Sequence, residues 1–102
     1  MKPEQRTYKI APVTVNGITV VQVVIDTHYE EKHRKSISDG LILRLIQKLD
    51  GRRELPEAKR GRYSYFATLV ELDEKFYRLI WLLEDHAIYV GVVNVYRDKR
   101  RI

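Results

Sequence analysis

The sequence predicts an α+β fold: an antiparallel sheet of about five strands, opened by an N-terminal hairpin and covered on one face by one or two helices. Three observations carry that expectation. Two β-branched runs meet at Asn16-Gly17, one amphipathic run ends at Gly51, and three strand-like runs then follow across short polar turns. With 102 residues and no break in composition, the chain reads as one domain, 1–102. Within it lie a hairpin at about 8–26, a helical region at about 29–50 and a three-stranded meander at about 63–97.

The elements follow in order. YKIAPVTV and ITVVQVVID are joined by Asn16 and Gly17, a pair suited to the positive φ that both centres of a type I′ turn require. Pro12 cannot donate to a ladder, so the first run is expected at a sheet edge. THYEEKHRK, over 27–35, has a weak helical pattern and reads as a short helix or connector. SISDGLILRLIQKLDG is the clear helix. Ser36 or Ser38 caps it, Asp39 suits its positive end, and Leu41, Ile42, Leu45, Ile46 and Leu49 form one stripe. RRELPEAKRGR is a basic loop, and YSYFATLVEL, KFYRLIWLLE and AIYVGVVNVY complete the meander, separated by Asp73-Glu74 and Asp85-His86.

Arg78 stands inside YRLIWLL, where a buried, always-charged guanidinium would be costly. Strand alternation resolves the conflict. Tyr77, Leu79, Trp81 and Leu83 share an uncharged face that belongs under the helix, and Arg78 lies on the other with Phe76, Ile80, Leu82 and Glu84. Turns of even length extend the core face to Phe66, Thr68, Val70, Ile88, Val90, Val92, Asn94 and Tyr96. The open face then carries Tyr63, Tyr65, Ala67, Leu69 and Glu71 on one side of Arg78, and Tyr89, Gly91, Val93, Val95 and Arg97 on the other. Ala67 and Gly91 leave a shallow groove with Tyr65 and Tyr89 at its edge. Arg78 then either pairs with Glu71 or Glu84, its stem over apolar neighbours, or awaits an anion.

Charge and composition narrow the function classes. The net charge is +5, from 19 Lys and Arg against 14 Asp and Glu, with basic clusters at 52–62 and 97–101 flanking the Arg78 strand. Such clusters suit a nucleic-acid backbone. The absence of Cys removes disulfides and thiolate chemistry. No apolar run reaches the length of a membrane span, and MKPEQRTYKI lacks the features of a signal peptide, so a cytoplasmic location is expected. His28 and His33 lie five apart, about 140° around a helix, and do not converge as metal ligands even with Glu30 and Glu31 nearby. No metal or other cofactor is expected. His28 suits proton transfer or a solvated connector, and the seven Tyr suit base stacking or a core with polar tips.

From the helix onward, over about residues 37–101, LILRLIQKLDG, LPEAKRGRYSYF and FYRLIWLLEDHAIYVGVVNVYRDKR resemble the RelE/HigB-type toxin superfamily, including its phage-derived relatives. The resemblance implies a RelE-like α+β fold and a metal-independent endoribonuclease that cuts mRNA, often on the ribosome, and is neutralised by a partner antitoxin. It implies Arg78, Arg62 and Tyr96 as catalytic candidates, with Lys59, Arg60, Arg97 and Lys99 holding phosphate. Parity turns Tyr96 away from Arg78, so either the last strand bends there, or Tyr96 is structural and Tyr65, a further catalytic candidate, or Tyr89 is nearer the chemistry. Two features differ from the family: YSYFATLVEL lacks an arginine, and the N-terminal hairpin replaces a single first strand. RNA supplies its own 2′-OH nucleophile, so the protein need only orient the chain, stabilise charge and move protons. Two alternatives remain: a non-catalytic nucleic-acid-binding module, and a protein-interaction module using Phe76, Ile80 and Leu82 around Arg78.

Overall fold

The computed structural model describes residues 5–99, which form a six-stranded sheet in the order β1-β2-β6-β5-β4-β3. The strands are β1 (Gln5–Val15), β2 (Ile18–Asp26), β3 (Ala58–Arg60), β4 (Tyr63–Leu72), β5 (Lys75–Glu84) and β6 (Tyr89–Asp98). Between β2 and β3 run a 3-10 turn, Thr27–Tyr29, and two short helices, α1 (Glu30–His33) and α2 (Asp39–Gln47).

Local chemistry explains the hairpin and α2. Asn16 and Gly17 have φ of 53° and 73°, as a type I′ turn needs, and β1 is an edge strand. Pro12 falls in the register break between Lys9 and Val13, where no ladder donor is required. Ser38 caps α2 by accepting the Leu41 N–H, and Ile42, Leu45, Ile46 and Leu49 are buried against the sheet. Phe66 stacks on Trp81 at 4.1 Å, and the Trp81 Nε1–H donates to Thr68 Oγ1 at 2.9 Å, which satisfies the one buried polar side chain among the described residues.

The expected antiparallel sheet of about five strands with helices packed on it is corrected in three respects. β2 pairs with β6 in parallel, so the sheet is mixed. A parallel pair needs a long crossover, and the chain supplies one by running from β2 through the helices, β3, β4 and β5 before β6. Secondly, the end of the basic loop becomes β3, because Gly61 at φ +59° allows a tight turn that folds Ala58–Arg60 against Tyr63–Tyr65. Thirdly, the helical region at about 29–50 contains helices of only four and nine residues. Between them, residues 34–38 are non-helical, and Ile37 enters the core.

A correction within β6 matters most for function. The loop between β5 and β6 has even length, but a bulge at Val93 shifts the register, so that Ile80 faces Asn94 and Trp81 faces Val92. Beyond the bulge every side chain changes face. Val95 is buried and Asn94 is half-buried, with its Oδ1 accepting the Val95 N–H at 2.9 Å. The expected core positions Asn94 and Tyr96 therefore turn outward, and the expected core residue Ile88 is 56% exposed in the loop.

Candidate functional site

The sheet face opposite the core carries two groups of functional side chains. At one end Arg78 and Tyr96 are direct cross-strand partners, because the Val93 bulge rotates Tyr96 onto the face that Arg78 occupies. The same rotation turns Arg97 to the other face, opposite the buried Tyr77, and brings Asp98 beside Arg78. Arg78 Nη2 donates to Asp98 Oδ2 at 3.3 Å. The expected partners Glu71 and Glu84 are therefore corrected to Asp98. Tyr96 also meets the His33 ring, with centroids 5.9 Å apart. A guanidinium, a phenol, an imidazole and a carboxylate thus share one patch, and all four are partly solvent-accessible.

At the other end lie Tyr63, Tyr65 and Tyr89. Tyr65 faces Leu82, four residues along β5 from Arg78, a span of about 13 Å. The Tyr89 hydroxyl donates to Glu84 Oε1, and Arg62 Nη1 lies 3.4 Å from Glu84 Oε2. Burial first, and then that carboxylate, pushes Tyr89 up to about 12, so it serves as a donor and not as a base at neutral pH. Between these tyrosines and the hairpin a cleft of about 360 Å³ opens over Leu82 and Gly91. Its floor is low because residue 91 has no side chain.

The expected catalytic set is therefore divided. Arg78 and Tyr96 are together, while Arg62 and Tyr65 belong to the far end. Of the expected phosphate contacts, Arg60 lies on the open face opposite Tyr63 and is exposed. Lys59 projects to the other face and pairs with Asp85 at 3.2 Å. Arg97 is on that other face too, and Lys99 is exposed just beyond β6. Arg100 and Arg101 of the C-terminal basic cluster lie outside the described residues. Sequence reasoning missed His33 and Asp98. The signal for Asp98 was Asn94, a polar residue at an expected core position, whereas nothing in the sequence linked His33 to Tyr96. His28, the other candidate for proton transfer, is exposed and 3.9 Å from Glu31.

The most strongly perturbed ionisable group sits elsewhere, on the helix side of the hairpin. Arg6 donates to Asp39 through Nε at 2.6 Å and Nη2 at 2.9 Å, while the Tyr8 and Tyr29 hydroxyls donate to the same carboxylate. The Arg6 hydrogen bond leads in holding Asp39 down at about 2, and Tyr8 and Tyr29 also lower it. Burial, followed by the bond to Asp39, pushes Tyr29 well above its usual range. Each Asp39 oxygen accepts two donors, so the carboxylate is saturated and ties β1 to the start of α2.

No family model, curated protein or solved structure matches this chain. Its chemistry is read from its own residues. Among the described residues, no group of three or more His, Asp and Glu side chains is arranged to hold a metal ion, and no helix is long and apolar enough to cross a membrane.

Proposed function

We propose that the chain is a metal-independent endoribonuclease of the toxin class that its sequence resembles. In this reading it cuts mRNA in the cytoplasm, free or on the ribosome, and is restrained by a partner antitoxin. What supports the reading is the Arg78–Tyr96 cross-strand pair on the open face, with the His33 ring beside Tyr96. The 2′-oxygen of a nucleotide attacks the adjacent phosphorus, the bond to the 5′-oxygen breaks, and a cyclic phosphate forms. One proton leaves the 2′-OH and one reaches the departing 5′-oxygen. Arg78 meets the negative charge that develops on the phosphoryl oxygens, exchanging Asp98 for phosphate. Tyr96 and His33 are the groups placed to pass protons, imidazole being the side chain that does so most readily near neutral pH.

The test uses purified protein with mRNA, both free and on translating ribosomes, in the presence of a chelator. Wild type should cut and leave cyclic phosphate ends. Arg78→Ala and Tyr96→Phe should each slow cleavage by about 10²- to 10⁴-fold. Arg78→Ala should also relieve growth inhibition on expression. Intact mRNA in both settings, together with no relief by Arg78→Ala, would refute the nuclease. A second reading has an observation of its own. Arg78, Arg62 and Lys59 already pair with Asp98, Glu84 and Asp85, as in a module that binds without cutting. That module predicts RNA binding that Arg78→Ala weakens only mildly, with no products at any time.

A further inference from the structure

We infer that the cleft over Leu82 and Gly91 is a subsite for one unpaired nucleobase carrying an exocyclic amine, an adenine, cytosine or guanine in preference to a uracil. The setting of this inference, a strand of RNA on the open face, rests on the function proposed above. Its chemistry comes from the cleft itself. At about 360 Å³ the space lies in the range of small-molecule sites. Tyr63, Tyr65 and Tyr89 supply aromatic walls, and Leu82 and Gly91 supply an apolar floor. Tyr63 and Tyr65 are tilted by 48° with centroids 6.5 Å apart, so they flank the space without filling it.

The polar groups of the lining select among flat ligands. Asp26 and Gln5, neighbours across the hairpin, face the tyrosines from the other side of the cleft. A carboxylate accepts hydrogen bonds, and a side-chain amide both donates and accepts, which matches an amine beside a ring nitrogen. Among the described residues, no Lys or Arg lines the space. Phosphate is therefore disfavoured inside it and stays with Arg78, about 13 Å along β5. An RNA strand with its phosphate at Arg78 reaches the cleft with a nearby base. The glycine keeps the floor open: a Cβ at position 91 would lie 2.8 Å from Leu82 Cδ1 and would push that side chain aside.

Free nucleosides test the cleft apart from any phosphate contact. Adenosine, cytidine and uridine are titrated into the full chain while the ring resonances of Tyr63, Tyr65 and Tyr89 are followed by NMR. Adenosine and cytidine should shift all three tyrosines, with uridine binding severalfold more weakly. Tyr65→Ala and Gly91→Ala should each weaken adenosine about tenfold or more, and Arg78→Ala should leave it unchanged. Tyr65→Phe, which keeps the ring, should bind like wild type and shows that loss in Tyr65→Ala is loss of stacking. Nucleosides that leave the three rings unmoved overturn the inference. So does tighter occupancy by acetyl-arginine or trimethyl-lysine, which would mark a cage for cations. If adenosine binds while mRNA stays intact, the nuclease falls and the cleft stands. If mRNA is cut by wild type and Tyr65→Ala with the same base preference, and nucleosides do not bind, the cleft falls and the nuclease stands.

Discussion

Asp39 illustrates how much one carboxylate can carry. Four donors from Arg6 and Tyr8 of β1 and from Tyr29 of the 3-10 turn converge on it. Because its folded value lies at about 2, below an ordinary 3.8, the folded state binds the proton less readily than the unfolded chain. The resulting stabilisation is complete above about pH 4 and is lost as pH falls through about 2. Its size is at most about 2 kcal/mol. Asp39→Asn should therefore unfold in denaturant with up to about 2 kcal/mol less stability near pH 7 and approach wild type only below pH 2. An equal deficit at both pH values would mean that shape, not charge, holds the strut. Tyr29 works in the opposite sense: raised above its usual 10.0, it contributes below that pH and loses its contribution as pH climbs. Arg78 shows the same economy on the open face. Parity removed it from the core, as the alternation of YRLIWLL implied, and the structure adds Asp98 as its partner. Sequence proximity could not identify that partner, because Asp98 is 20 residues away and reaches Arg78 only by way of the bulge.

At the scale of elements, the signals that proved legible are local ones. The Asn16-Gly17 turn, the Ser38 cap and the meander turn at Asp73-Glu74 each express backbone preferences of a few adjacent residues. The Val93 bulge expresses a competition instead. Unbroken alternation would bury the Asn94 amide and expose Val95, whereas one extra residue buries Val95 completely and leaves the Asn94 side chain to accept the Val95 N–H. Burying an amide without partners costs about 1–3 kcal/mol, enough to offset one disrupted ladder position. That trade decides where Tyr96 points. Asn94→Val removes the reason for the bulge, so the regular register should gain population and Tyr96 should turn toward the core. The measurement is the set of nuclear Overhauser contacts between the His33 and Tyr96 rings, 5.9 Å apart by centroid in wild type. They should fade in Asn94→Val and persist in Asn94→Asp, which keeps an acceptor at the same place. Full contacts in both variants would show that Asn94 does not drive the shift.

For the molecule as a whole, strand order and charge placement set what the open face can do. The parallel β2–β6 pair puts the hairpin beside β6, so that Asp26 and Gln5 close one side of the cleft while β4 closes the other. The sequence showed the strands but not this neighbour relation, because strand order depends on contacts between distant segments and leaves no local pattern. Charge was only partly readable for the same reason. The basic loop did become a cationic edge, with Arg60 exposed at β3 and Arg62 68% exposed beside it, yet Lys59 and Arg97 went to the opposite face. Among the described residues, Lys9, Arg60, Arg62 and Arg78 lie on or beside the open face to meet a backbone. Single-stranded binding loses about 0.7 in log–log salt slope per phosphate neutralised, so short single-stranded RNA should bind with a slope of about −3. Arg60→Ala should bring it to about −2, whereas Arg97→Ala should leave it unchanged. Fluorescence anisotropy from low to moderate salt measures both. A slope near zero would favour a protein-interaction surface centred on Phe76, Ile80 and Leu82, because apolar contact releases no counterions. An equal effect of Arg97→Ala would mean that RNA wraps both faces of the sheet, and the open face would then lose its claim to be the binding surface.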